Sequence, residues 1–245
     1  MRRFFVPDGV LGAPKVALEG DLAHRLARVL RMKAGESVIL SEGGPTEYEV
    51  RLTAVSPKTV AGEVTGEREA PPEPRIELVL YQSLIRANRF DLVLEKGTEI
   101  GVSRFVPVVP ARGQSQDESA SENGMSGWRR IVVEAAEQCG RGRPPRIDPP
   151  QPVDAAVRDA AGLRLLPWEG GAGLPSLGGY LRSLEERPDA VSLFIGPEGG
   201  FAESEVDLAR RASFTLVTLG PRILRSETAG IVAATVVLEA LGELG

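Results

Sequence analysis

The chain has 245 residues, 42% hydrophobic and 26% charged, the balance of an ordinary folded protein of one large or two modest domains. A single cysteine, Cys139, and a single histidine, His24, exclude an internal disulfide and a zinc site of nitrogen and sulfur ligands, and point to a reducing compartment with no metal. The net charge of −5 excludes a uniformly basic nucleic-acid coat, yet residues 1–35 carry seven Lys or Arg against three Asp or Glu, and 36–73 carry three against eight. A local phosphate-binding surface is compatible with that polarity.

In chain order, the apolar start at Phe4, Phe5 and Val6 stops at Pro7 and Asp8, too short for a signal peptide. Alternating stretches at 37–40, 48–52 and 60–64 predict strands, with turns at Gly43-Gly44-Pro45 and Ser56-Pro57-Lys58. A helix is expected over 21–32. Leu22, Leu26 and Val29 fall on one of its faces, and His24, Arg28 and Arg31 on the other. A small β-barrel with one helix follows. Its His/Arg stripe is either a solvated face or a phosphate contact, with Arg2 and Arg3 as further candidates. The prolines in 69–74 form a stiff linker that divides the chain into 1–72 and 73–245.

Beyond the linker, strands are expected at 76–81, 104–109, 163–166, 191–195 and 215–219, and helices at 89–100, 128–139, 204–211 and 228–241. This alternation predicts an α/β domain with a parallel sheet covered on both faces. The polar stretch 114–127 reads as a mobile loop. Cys139 shares an apolar face with Trp128, Ile131, Val132 and Ala135 and reads as a small core residue. The last helix is apolar nearly all round, with Thr228, Thr235 and Glu239 as a thin polar strip, so it is either deeply buried or part of a subunit interface. Its apolar run, 231–238, is far short of a membrane span. A cytoplasmic protein without a membrane partner is expected.

Three of the expected strands end in Gly/Pro turns: Pro167-Trp168-Glu169-Gly170-Gly171, Gly196-Pro197-Glu198-Gly199-Gly200 and Gly220-Pro221-Arg222. Ligands of open parallel sheets sit beyond the carboxyl ends of the strands, and glycine lets a ligand approach the backbone. Three such ends predict one pocket built largely from main chain. There is no Gly-Lys dipeptide for a P-loop, Gly171-Ala172-Gly173 lacks the third glycine of a dinucleotide fingerprint, and His24 is remote from any nucleophile elbow.

The segments Ile195-Gly196-Pro197-Glu198-Gly199-Gly200-Phe201 and Leu219-Gly220-Pro221-Arg222-Ile223-Leu224-Arg225-Ser226-Glu227-Thr228-Ala229 resemble the two signatures of the RsmE family. So do Glu95-Lys96-Gly97-Thr98-Glu99-Ile100-Gly101-Val102, Glu137-Gln138-Cys139-Gly140-Arg141 and the basic stretch from His24 to Met32, in the same order along nearly the whole chain. The resemblance implies a PUA-like β-barrel followed by a SPOUT domain with a trefoil knot, a homodimer, and S-adenosylmethionine (SAM) as cofactor. It implies methylation of N3 of a uridine in 16S ribosomal RNA of the small subunit. By position it places cofactor contacts at Leu166, Pro167, Trp168, Ile195, Gly196, Pro197, Leu219, Gly220, Ile223, Leu224 and Arg225.

A uracil N3 must lose its proton before it can attack. Arg225 is the candidate to stabilise or steer the base, and Glu198 or Glu227 to take the proton. Glu227 is equally well a first-turn residue favourable to its helix dipole, and Glu198 a turn residue. Arg112, Arg141 and Arg143 are loop candidates for phosphate contacts. Two alternatives stay open: a SPOUT enzyme acting on another RNA target, such as a ribose 2′-hydroxyl or a tRNA base, and a non-catalytic RNA-binding assembly factor.

Overall fold

The computed structural model describes residues 1–110, 122–170 and 173–244. They form two compact units, Met1–Glu73 with Ala136–Pro144, and Pro74–Ala135 with Pro145–Gly245.

In the first unit, strands β1 (Arg2–Phe5), β2 (Lys15–Glu19), β3 (Ser37–Ser41), β4 (Thr46–Val55) and β5 (Thr59–Glu69) form one mixed sheet in the order β1-β3-β4-β5-β2. β1 runs parallel to β3, and the other neighbours are antiparallel. Alternation along each strand sends Phe4, Val16, Leu18, Val38, Leu40, Val50, Leu52 and Val60 into a single core. β1 and β2 lie at opposite edges yet feed that same core, so the sheet is wrapped round it.

The helix expected over 21–32 is instead a short α1 (Gly20–His24) that widens into one π turn, Arg25–Val29. Leu30 N–H bonds the Arg25 carbonyl at 2.9 Å, a five-residue step that rotates everything after it. Ala23 and Leu26 still face the core. Val29, expected to point inward, is 67% exposed, and Arg31 leaves the helix with φ 54°.

The segment Ala136–Pro144 joins this unit through polar ties. The buried Glu137 accepts Phe5 N–H (3.0 Å) and Arg25 Nη2 (2.6 Å), and Arg141 pairs with Glu73. At Gly142 a Cβ would lie 2.5 Å from the Pro71 carbonyl oxygen, an approach only glycine permits.

The second unit is built on a parallel sheet of β6 (Glu77–Ser83), β7 (Arg104–Val109), β8 (Arg146–Ile147), β9 (Gln151–Pro152), β10 (Leu163–Pro167), β11 (Ala190–Ile195) and β12 (Thr215–Val217). Its order is β12-β10-β11-β6-β7-β8, with β9 also on β7. Side chains alternate between two cores. Leu78, Leu80, Phe105, Leu165, Leu193 and Ile195 meet α2 (Ala87–Ile100), α3 (Glu122–Cys139), α5 (Leu177–Arg182) and α7 (Ser226–Ala240). Val79, Tyr81, Val106, Val108, Leu166 and Phe194 meet α4 (Val153–Asp159) and α6 (Glu203–Arg211). Burial on both faces explains why β6 reads as a nearly continuous apolar run.

Gly97 stands in the middle of α2, where glycine costs about 1 kcal/mol relative to alanine. The Phe105 ring explains it, since a Cβ at 97 would lie 2.7 Å from that ring.

Several expectations need correction here. Helix α3 begins at Glu122, so the part of 114–127 within the described residues is helical. Met125 and Trp128 are buried three residues apart, Trp128 against the Phe90 ring at 4.7 Å, and this packing overrides the poor propensity of Gly124 and Gly127. Cys139 is exposed rather than part of the core, because α3 ends there and Gly140 turns away with φ 88°. Strands β1 and β2 and helices α4 and α5 were not expected at all. The last helix is half-buried at Ile231 and Val236 and open at Val232, while Ala233, Ala234, Val237 and Leu238 are fully buried. No helix among the described residues is long and apolar enough to cross a membrane.

Candidate functional site

A cavity of about 320 Å³ opens at the carboxyl ends of β10, β11 and β12, within the size range of small-molecule sites. After β10 its wall is Pro167, Trp168 and Glu169. After β11 it is Ile195, Gly196, Pro197, Glu198, Gly200 and Phe201. After β12 it is Thr218, Leu219 and Gly220, followed by Arg222, Ile223, Leu224 and Arg225. Ser226 and Ala229 of α7 and Arg89 of α2 complete it.

Parallel pairing brings these distant stretches together. Trp168 N–H continues the β10–β12 ladder by bonding the Val217 carbonyl at 3.0 Å. Thr218 N–H bonds the Pro175 carbonyl (2.9 Å) and Leu177 N–H the Thr218 carbonyl (3.0 Å), so β12 is also tied to the start of α5. Gly200, with φ 71°, closes a turn on the Pro197 carbonyl at 3.0 Å. Gly220 has φ 110° and donates to Thr218 Oγ1 at 3.1 Å. A Cβ there would meet nothing within 4 Å, so backbone conformation, and not crowding by neighbours, demands glycine at 220.

The charged groups of the site are loosely held. Arg89 Nη1 lies 3.4 Å from Glu198 Oε1, and its Nε 3.6 Å from Glu227 Oε1, both long for strong hydrogen bonds. Glu227 sits on the first turn of α7, buried, and its Oε2 has no hydrogen-bond partner among the described residues. Arg225 is exposed at the mouth, where it is the N-cap residue of α7. Ile223 also stands out at the rim, 86% exposed. Arg210 lies over the Trp168 ring at 5.2 Å, so the outer face of that indole is already covered.

Pro167, Trp168, Ile195, Gly196, Pro197, Glu198, Leu219, Gly220, Ile223, Leu224 and Arg225, all expected at the site from the sequence, line the cavity. Leu166 does not: it is 2% exposed and packs in the opposite core, because neighbouring strand residues face opposite ways. Glu227 lies beside the cavity and is not part of its wall. Arg89, Phe201, Thr218, Ser226 and Ala229 were missed. Arg89 had a signal, since an arginine in the first turn of a helix opposes the helix dipole.

Of the RNA candidates, Arg2, His24, Arg28, Arg31 and Arg143 are exposed. Arg3 is engaged with the buried Glu47 at 2.6 Å and Arg141 with Glu73, so these two guanidinium groups hold the first unit together and are not presented outward. Arg112 lies outside the described residues.

Comparison with known proteins fits this geometry. Residues 71–238 match the profile of an RNA methyltransferase domain and residues 18–65 that of an RNA methyltransferase PUA domain. The chain is 32% identical to the ribosomal RNA small subunit methyltransferase E of Synechocystis sp., over 95% of this chain and 75% of the relative. It is 26% identical to the protein of the same name from Bacillus subtilis, over 97% and 96%. Among solved structures, the ribosomal RNA small subunit methyltransferase E of Neisseria gonorrhoeae, bound to S-adenosyl methionine, superposes with TM-score 0.86 at 28% identity, covering 98% of this chain and 97% of that one. A structure from Legionella pneumophila with the cofactor SAM bound superposes with TM-score 0.89 at 30% identity, covering 97% of both chains. The chain belongs to the ribosomal RNA small subunit methyltransferase E family of RNA methyltransferases.

Proposed function

We propose that this chain transfers the methyl group of S-adenosylmethionine to N3 of a uridine in the 16S RNA of the small ribosomal subunit. The observation that carries the reading is the convergence of three parallel-strand ends, with Gly196 and Gly220 among them, on one cavity walled by the turns that follow them. Such a lining suits a cofactor rich in hydrogen-bonding groups, and Trp168, Ile195, Leu219 and Leu224 supply apolar surface for its adenine and aliphatic parts.

When bound, SAM supplies an electrophilic methyl group, so the chain must orient the reactants and exclude water. Alignment of this kind is worth about 7–11 kcal/mol at its favourable limit. N3 lies on the pairing edge of uracil, so the target base must be unpaired or flipped. Its proton needs an acceptor. Glu227 Oε2, buried without a partner among the described residues, is the first choice, and the more exposed Glu198 is the second. Arg89 stands between these carboxylates. Arg225 faces solvent at the cavity mouth, where a guanidinium can steer the base and stabilise its anion.

Arg2, His24, Arg28, Arg31 and Arg143 are the proposed phosphate contacts of the first unit, the RNA-binding domain in this reading. From β12 at the sheet edge the chain returns as α7 to pack on α2, β6 and β11, a path that suits the expected trefoil knot. The proposed homodimer uses the open side of α7, Ile231, Val232 and Val236. Val232→Glu tests it without touching the core, whereas the fully buried Val237 would disrupt folding if charged. A reducing cytoplasm is the proposed location.

The test is methylation of small-subunit RNA from a strain lacking the gene, read by reverse transcription. A methyl on N3 blocks base pairing and stops the polymerase at one uridine. Incorporation without such a stop would favour a ribose or non-pairing-edge target, and no incorporation would favour the assembly factor.

A further inference from the structure

Beside the cavity, polar groups from three elements form a chain. Gln82, fully buried at the end of β6, donates from Nε2 to Ser226 Oγ (2.9 Å) and to the Ser83 carbonyl (3.2 Å). Ser226 Oγ donates in turn to the Gly196 carbonyl at 2.5 Å. Ser226 and Gly196 line the cavity and Gln82 does not.

The Ser83 carbonyl gives this chain a direction. A serine hydroxyl has one proton to donate. If the Gln82 amide were turned over, its oxygen would face the Ser83 carbonyl, acceptor against acceptor, and would draw the Ser226 proton away from Gly196. With the amide NH2 held by Ser83, Ser226 accepts from Gln82 and its proton is committed to Gly196. The arrangement leaves Gln82 Oε1 buried without a partner among the described residues, against α7, where a Cβ on Gly230 would lie 2.5 Å from it. Buried polar atoms are nearly always paired. The orphaned oxygen is therefore a cost to stability that this glutamine carries, offset by the two bonds its amide donates.

What the chain controls is the Gly196 peptide. Gly196 has no side chain to anchor it, and Pro197 behind it has no N–H. Its carbonyl is the handle, and Ser226 holds it. We infer that Gln82 is a positioning residue for the cofactor: acting through Ser226, it fixes the Gly196 peptide and the first turn of α7 in the geometry that SAM binding requires. The inference rests on the reading of the cavity as a SAM site.

Titration calorimetry with SAM, alongside thermal unfolding, tests it on the full chain. Gln82→Met should weaken SAM binding by about tenfold, the equivalent of one hydrogen bond, while the chain still unfolds in one cooperative transition. Ser226→Ala should lose as much, and Ser226→Thr, which keeps the hydroxyl, should bind within about twofold of wild type. The double variant Gln82→Met/Ser226→Ala should bind like Ser226→Ala alone, because both changes break one chain. Unchanged affinity in Gln82→Met overturns the inference, and so do losses that multiply in the double variant. Should Gln82→Met fail to fold, equal affinities for Ser226→Ala and Ser226→Thr overturn it instead. A wild-type chain that binds no SAM sinks the proposed function itself, a different result from a wild type and variants that all bind equally.

Discussion

Two sets of arginines sit in opposite circumstances. In the first unit, four are tied down by carboxylates far away in sequence. Arg3 and Arg68 flank the fully buried Glu47, Arg25 pairs with Glu137, and Arg141 with Glu73. At the cavity of the second unit, Arg89 reaches its carboxylates only at 3.4 and 3.6 Å, and Arg225 is exposed. A guanidinium whose partners are buried and close serves folding, and one held loosely at a cavity is left for a ligand. Composition shows only that Arg is abundant; the partner across the chain decides its role.

The sharpest way to break this comparison is at Glu47. Glu47→Ala leaves two guanidinium groups without their buried partner and should cost about 3–5 kcal/mol in denaturant unfolding. Glu198→Gln, at the cavity mouth, should change stability by less than about 0.5 kcal/mol. Equal effects would erase the distinction.

Gly220→Ala comes next. An L-residue at φ 110° is strained, by about 1–3 kcal/mol. A shifted turn at 218–222 should cost SAM affinity as well as stability. A variant that matches wild type in both would show that the turn is not constrained.

Among the exposed basic residues, Arg28→Ala with Arg31→Ala should leave SAM affinity and stability nearly unchanged. RNA binding should weaken and its salt slope fall by about one to two units, as phosphate contacts release counterions. Arg3→Ala should do the reverse, unfolding the first unit more readily. An unchanged salt slope in the double variant would make the exposed stripe solvated surface only.

The smallest expected effect is alkaline. Burial, and then Asp159 at 2.8 Å, push the Tyr81 hydroxyl above its ordinary value of 10.0. The folded state therefore favours the protonated phenol. That contribution is complete below pH 10 and is lost as pH rises further. Tyr81→Phe should flatten the fall in stability above pH 10, and an unchanged slope would show that another group titrates there.

Much of the cavity is legible in the sequence because backbone geometry is written locally. The turns after β10, β11 and β12 carry Gly and Pro at fixed points, and short apolar runs bounded by those turns mark the strands before them. Leu166 was misplaced by one residue, which in a strand means the opposite face. The basic helix was harder to read. Helical spacing assumes 3.6 residues per turn, and the π turn at Arg25–Val29 breaks that count without any Gly or Pro to mark it. Arg89, Gln82 and the ion pairs of Arg3 and Arg141 depend on partners many residues away, and no local pattern encodes them. Strand β2 was missed although Val16 and Leu18, two apart in Lys15–Glu19, are both buried.

The central claim is that SAM binds at the carboxyl ends of β10, β11 and β12. The chain has two tryptophans, so Trp128→Phe leaves Trp168, in the cavity wall, as the sole indole. Titration of that variant with SAM should give a saturable change in Trp168 fluorescence, with a midpoint equal to the calorimetric Kd, and the change should vanish when Gly220→Val is added. Calorimetric binding with no response from Trp168, or a full response in the Gly220→Val background, would contradict the claim and place the cofactor elsewhere.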